Sequence, residues 1–111
     1  MSDDTRVEGN TTIDSDVIET IIKMTASETE GVSHLFITSS NTGVKTRIQD
    51  GIVTADVYVV LAQRQNAVLT SRKLQEKISR AISEMVGMKA GNISIHVEDY
   101  DYSTQTKIQE H

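Results

Sequence analysis

The spacing of apolar residues changes period along the chain, and each change marks an element. Val17, Ile18, Ile21, Ile22 and Thr25 recur at helical spacing and predict a helix running to about residue 29. Asp14 or Ser15 can cap it, with Asp16 and Glu19 in its first turn. Gly31 follows as the expected C′ residue in a left-handed conformation, and Val32 as the hydrophobic contact that accompanies such a cap. Ahead of this helix, 11–13 (TTI) reads as a short strand.

The period then falls to two. The stretch 32–38 (VSHLFIT) is rich in strand-forming residues, and 39–43 (SSNTG) is a loop. Over 44–49, Val44, Thr46 and Ile48 alternate with Lys45, Arg47 and Gln49. Asp50-Gly51 is a two-residue hairpin signal. Over 52–62, Val53, Ala55, Val57, Val59 and Leu61 share one face, opposite Thr54, Asp56, Tyr58 and Val60. After a connector at 64–66, helical spacing returns from 67 to 86. Leu74, Ile78, Ala81, Ile82 and Met85 form the stripe, and Gly87 ends it. A last strand at 92–99 turns Ile93, Ile95 and Val97 inward and Ser94, His96 and Glu98 outward.

Strand, helix and strand over 52–99 make a βαβ unit whose right-handed crossover requires parallel strands. The Asp50-Gly51 hairpin requires antiparallel ones. The expected fold is therefore α+β: a single mixed sheet with two helices packed on one face and the other face open. The domain is expected over 11–99, between a flexible N-terminal arm at 1–10 and a polar flexible tail at 100–111.

Composition narrows the function classes. The chain has 111 residues, enough for one domain with one core, and 37% of them are hydrophobic. A net charge of −5 disfavours nucleic acid and anionic lipid as general partners. The absence of cysteine removes disulfides, thiolate metal sites and a cysteine nucleophile, and suits a cytoplasmic protein. No signal peptide and no apolar run of membrane-spanning length is present, so direct membrane insertion is not expected.

No motif assembles a catalytic or cofactor site. Glu28 and Glu30 are two apart, so on a helix they point about 200° away from each other and cannot converge on one atom. The histidines His34, His96 and His111 lie far apart in sequence and in no metal-binding pattern. Gly87 and Gly91 follow a helix rather than precede one, unlike a phosphate-binding loop. No catalytic, cofactor-binding or metal-ligating residue is assigned. Two surfaces remain. The open sheet face should present Lys45, Arg47, Asp56, Tyr58, His96 and Glu98, mixed charge around a tyrosine that suits a protein contact. The second helix carries Arg72, Lys73, Lys77 and Arg80, a basic patch without interleaved aromatic residues.

The order of these features resembles the alkaline shock protein family, small Gls-type domains found mainly in Gram-positive bacteria. The resemblance rests on TTIDSDVIETIIKMTASETEGV (11–32), with its E-x-E-G-V closure, on GVKTRIQDGIVTADVYVVLA (43–62), and on LQEKISRAISEMVGMKAGNISIHVED (74–99). In the last, Val86 stands where threonine is common and Met88 where leucine is common. The resemblance implies a non-enzymatic interaction module in cell-envelope homeostasis and stress response, which would make its contact through the open sheet face or through the closure of the first helix at 28–32. It further implies a cytoplasmic protein held at the inner face of the membrane by a membrane-embedded partner, and self-association. The competing reading is a small RNA-binding domain that uses the basic face of the second helix.

Overall fold

The computed structural model describes residues 14–102. The expected strand at 11–13, the arm at 1–10 and the tail from 103 onward lie outside the described residues. Helix α1 spans Ser15–Glu28, capped by Asp14, whose carboxylate accepts the Asp16 N–H at 3.0 Å. It buries Ile18, Ile22 and Ala26. The stripe is thus one position off the expected one: Ala26 completes it, and Val17 is 51% exposed.

α1 ends where expected, and Gly31 is left-handed as expected, but the cap is one the sequence did not show: Thr29, not Gly31, closes the helix. Its backbone is extended (ψ 129°), its N–H donates to Ala26 C=O, and its buried hydroxyl donates to Thr25 C=O at 2.8 Å. Glu30 and Gly31 then form a turn closed by Val32 N–H to Thr29 C=O, with Gly31 at φ +98°. Val32 packs against the core as expected.

Strand β1 covers Val32–Leu35, shorter than the expected 32–38. β2 is Val44–Gln49 and β3 is Ile52–Ala62. Asp50 (φ 54°) and Gly51 (φ 75°) join them in the two-residue turn expected from the sequence. β1 and β2 both pair antiparallel with β3, along its C-terminal and N-terminal halves, so together they form one edge of the sheet. They meet at Tyr58, whose C=O accepts from Phe36 N–H and whose N–H donates to Gly43 C=O, both at 2.8 Å.

Helix α2, Ala67–Ala81, is capped by the Asn66 side chain and buries Thr70, Leu74 and Ile78. It continues as a π-turn over Ile82–Val86, in which Gly87 N–H bonds to Ile82 C=O. The wider turn keeps Ile82 buried and swings Met85 out to 65% exposure, against the continuous stripe expected. β4, Lys89–Asp101, pairs parallel with β3 and outruns the expected 92–99 at both ends. The βαβ unit and the mixed sheet are as predicted.

Both helices pack on one face of the sheet. Ile18, Ile22, Leu74, Ile78 and Ile82 meet Val53, Val57, Val59, Leu61 and Ile93 there in one core. The opposite face carries no helix among the described residues, and none of the described helices is long and apolar enough to cross a membrane.

Candidate functional site: the open face of the sheet

Alternation along β2, β3 and β4 places Lys45, Arg47, Asp56, Tyr58 and His96 on the face away from the helices. Four of the six residues expected on this face form one connected group. Tyr58 and His96 are partners across β3 and β4, and their rings stack with centroids 4.5 Å apart and planes 14° from parallel. Asp56 precedes Tyr58 by two residues, and its Oδ1 lies 2.9 Å from His96 Nε2. Lys45, directly opposite Asp56, holds its ammonium 5.7 Å from the Tyr58 ring centre.

The Asp56 contact fixes the imidazole. An ionised carboxylate only accepts, so His96 Nε2 carries the proton and, in the neutral ring, Nδ1 is the free acceptor. Both side chains are partly exposed, 40% for His96 and 33% for Asp56. Such a pair adds only ~0–1 kcal/mol to stability. Its physical effect is to hold the two rings in a set orientation, a flat aromatic platform flanked by a cation and an anion.

The other two expected residues stand apart from this group. Arg47 lies opposite Thr54 near the hairpin and lines a separate recess of about 210 Å³ with Gln49, Asp50 and Ile52. Glu98 is exposed at a β-bulge: Val59 pairs with Val97 and Val60 with Asp99, which leaves Glu98 without a partner on β3. The basic residues Arg72, Lys73, Lys77 and Arg80 all lie on α2, remote from the open face. Glu28 is the last residue of α1 and Glu30 sits in the following turn, both exposed.

A second half of the face was not foreseen. Beyond Tyr58 the face continues into a cleft of about 350 Å³ with a mixed lining, in which Phe36, Ile37, Val60 and Tyr102 stand beside His34, Asp99 and Asp101. Val60 points outward yet is only 6% exposed. The signal in the sequence was the unbroken run Val57–Leu61, which marks a strand segment covered on both faces.

At the end of this cleft Ser33 Oγ lies 2.5 Å from Asp101 Oδ2 and 3.0 Å from His34 Nδ1. The three residue types match those of a catalytic triad, but their order does not. The hydroxyl gives its single proton to the carboxylate, so His34 can only donate to Ser33 and cannot act as its base. Among the described residues, no three histidine or acidic side chains gather as a metal site.

This geometry defines a small α+β domain with one helix-covered face and one ordered polar-aromatic face. The chain belongs to the alkaline shock protein 23 family, a family of cell envelope-related function, whose model matches residues 3–101. It is 27% identical to the Bacillus subtilis (strain 168) protein YqhY over 111 residues, covering 89% of this chain and 82% of that protein. Among solved structures it is similar to the MamM CTD. A manganese form aligns with a TM-score of 0.53 at 13% identity, over 78% of this chain and 99% of that one. A zinc form aligns at 0.54 and 13%, over 78% and 87%. At that identity the likeness concerns the fold alone.

Proposed function

We propose that this protein is a non-enzymatic interaction module of the cell envelope, which docks through its open sheet face on a membrane-associated protein. In this reading it is cytoplasmic and held peripherally at the inner face of the membrane by that partner. The observation that carries the proposal is the Lys45–Tyr58–His96–Asp56 group. Its rings are oriented and partly exposed, and beyond them lies a cleft of mixed lining, the combination of aromatic anchor and polar surroundings that protein contacts use. The family's envelope-related function supports the cellular setting. The proton order at Ser33 is not that of a catalytic triad, since the hydroxyl donates to Asp101 and the imidazole of His34 is not placed to take its proton, and this supports the non-enzymatic reading.

The test compares capture of membrane-fraction proteins by wild type, Tyr58→Ala, Arg47→Glu and a Lys73/Lys77/Arg80 charge reversal. Tyr58→Ala is expected to reduce capture at least tenfold, as a central aromatic contact of ~2 kcal/mol or more would. Arg47→Glu, at the rim, should reduce it less. The α2 reversal should leave it unchanged. Capture that survives Tyr58→Ala removes the sheet face as the docking surface. Salt-sensitive RNA binding lost only in the α2 reversal would support the RNA-binding reading instead.

A further inference from the structure

The outer edge of β4 is unpaired by any described strand, and the hydrogen bonds of β3 show which of its groups are free. Tyr58 spends both its N–H and its C=O on the β1 and β2 side of β3. Alternation therefore turns Ala55, Val57 and Val59 toward β4. In the parallel ladder their partners are Ile93, Ile95 and Val97. Parallel pairing then turns Ser94 and His96 toward β3 and aims the N–H and C=O of Ile93, Ile95 and Val97 away from the sheet.

Two side chains agree with this assignment. Gln75 Nε2 donates to Ile93 C=O at 2.9 Å, reaching a carbonyl the ladder does not use. Past the bulge at Glu98, Tyr100 N–H is taken by the Asp99 side chain at 2.8 Å. Among the described residues, the edge from Ile93 to Val97 thus presents backbone donors and acceptors that the β3 ladder does not use, of which Ile93 C=O already accepts from Gln75 and keeps its second lone pair.

We infer that this edge pairs antiparallel with the same edge of a second copy, centred on Ile95. The register follows from the residues. Centring on Ile95 sets Ile95 against itself and Ile93 against Val97, so every outward-facing residue of the segment meets an outward-facing one. Ser94 then faces His96 on the open face. The bulge at Gly91–Asn92 falls opposite the bulge at Glu98, so the irregularities coincide instead of breaking the register. Charge fits as well. The acidic end, with Glu98, Asp99 and Asp101, meets 89–92, which carries Lys89 and no carboxylate. Lys89 faces Asp101. Ile95 and Val97, half-buried in one copy, gain apolar neighbours across the two-fold axis.

The inference goes beyond the docking reading and does not depend on it. It joins two sheets into one, with the two Tyr58–His96 platforms side by side on a continuous face. A partner with two copies of its own contact would then bind with gain from avidity.

The experiment uses the full chain. Sedimentation equilibrium across the micromolar range is expected to show a monomer–dimer equilibrium. Ile95→Pro should return the protein to a monomer with an unchanged far-UV circular dichroism spectrum. The Ile95 N–H makes no ladder bond to β3, so proline removes a donor that the described sheet does not use. Should Ile95→Pro fail to fold, Ile95→Cys decides. The chain has no cysteine of its own. Hydrogen-bonded antiparallel partners sit with Cα atoms about 5.5 Å apart, within disulfide range. Ile95→Cys should therefore yield a disulfide-linked dimer under mild oxidation, and Gln49→Cys on the distant hairpin should not. Three results would each overturn the inference. They are a monomer throughout with fast-exchanging amides at Ile95 and Val97, a monomer with those amides protected by another segment of the chain, and a dimer indifferent to Ile95→Pro whose Ile95→Cys thiols do not bridge.

Discussion

Leu74→Ala should lower unfolding stability by about 2–5 kcal/mol, whereas Met85→Ala on the continuation of the same helix should change it by less than about 0.5 kcal/mol. Leu74 is fully buried at the centre of α2, against the sheet and the Ile18–Ile22 stripe of α1. Truncation removes three carbons from a packed interior and leaves a cavity that a sheet and two helices can only partly close. For a domain of this size each kcal/mol moves the melting temperature by roughly 4–8 °C, so Leu74→Ala should melt at least 8 °C lower. Met85 is equally apolar, and a straight α-helix would turn it toward the sheet. The π-turn at Ile82–Val86 turns it outward instead. Denaturant titration of both variants measures the difference directly. Equal losses would mean that helical spacing, and not the π-turn, sets the core.

That pair of residues also shows where sequence patterning stops. Period-two alternation gave β2 and β3 their exact residues, and Asp50-Gly51 gave the turn between them, because those signals are local. The mixed sheet followed from one antiparallel hairpin and one parallel crossover. The π-turn could not be read, since inserting a residue into a helical turn leaves the composition and nearly the whole pattern intact. The bulges in β4 were hidden for the same reason, and they decide the place of Glu98. On the open face, alternation alone put Lys45, Asp56, Tyr58 and His96 together. What it lacked was the end of β1 at Leu35 and the loop that follows, which brings Phe36 and Ile37 beside Val60. Loop paths are set by tertiary contacts, so this half of the site was invisible until the strands were in register.

Gly31→Ala is expected to destabilise the fold by about 2–4 kcal/mol, while Glu28→Gln and Glu30→Gln stay within about 0.5 kcal/mol of wild type. The E-x-E-G-V stretch at 28–32 would thus owe its stability effect to the glycine and not to the carboxylates. Gly31 has φ +98°, a conformation that costs an L-residue about 1–3 kcal/mol. A Cβ there would also sit 2.7 Å from Gln65 Oε1 and 3.3 Å from Thr70 Cγ2. Gln65 is flexible enough to retreat, but Thr70 is buried at the start of α2. The backbone has little room to relax, because Gly31 C=O accepts from Ala62 N–H at 2.8 Å and so ties the end of α1 to the end of β3. Glu28 and Glu30 are exposed, and Glu28 stands at a helix C-terminus where negative charge is unfavourable, so its neutralisation should stabilise by a few tenths of a kcal/mol. Thermal unfolding of the three variants separates the two roles. If Gly31→Ala is neutral and Glu30→Gln is strongly destabilising, the turn is held by a carboxylate contact and the steric account of the glycine fails. If the order is as expected and the glutamate variants also capture the partner normally, the closure at 28–32 is architecture, and the contact surface lies on the sheet.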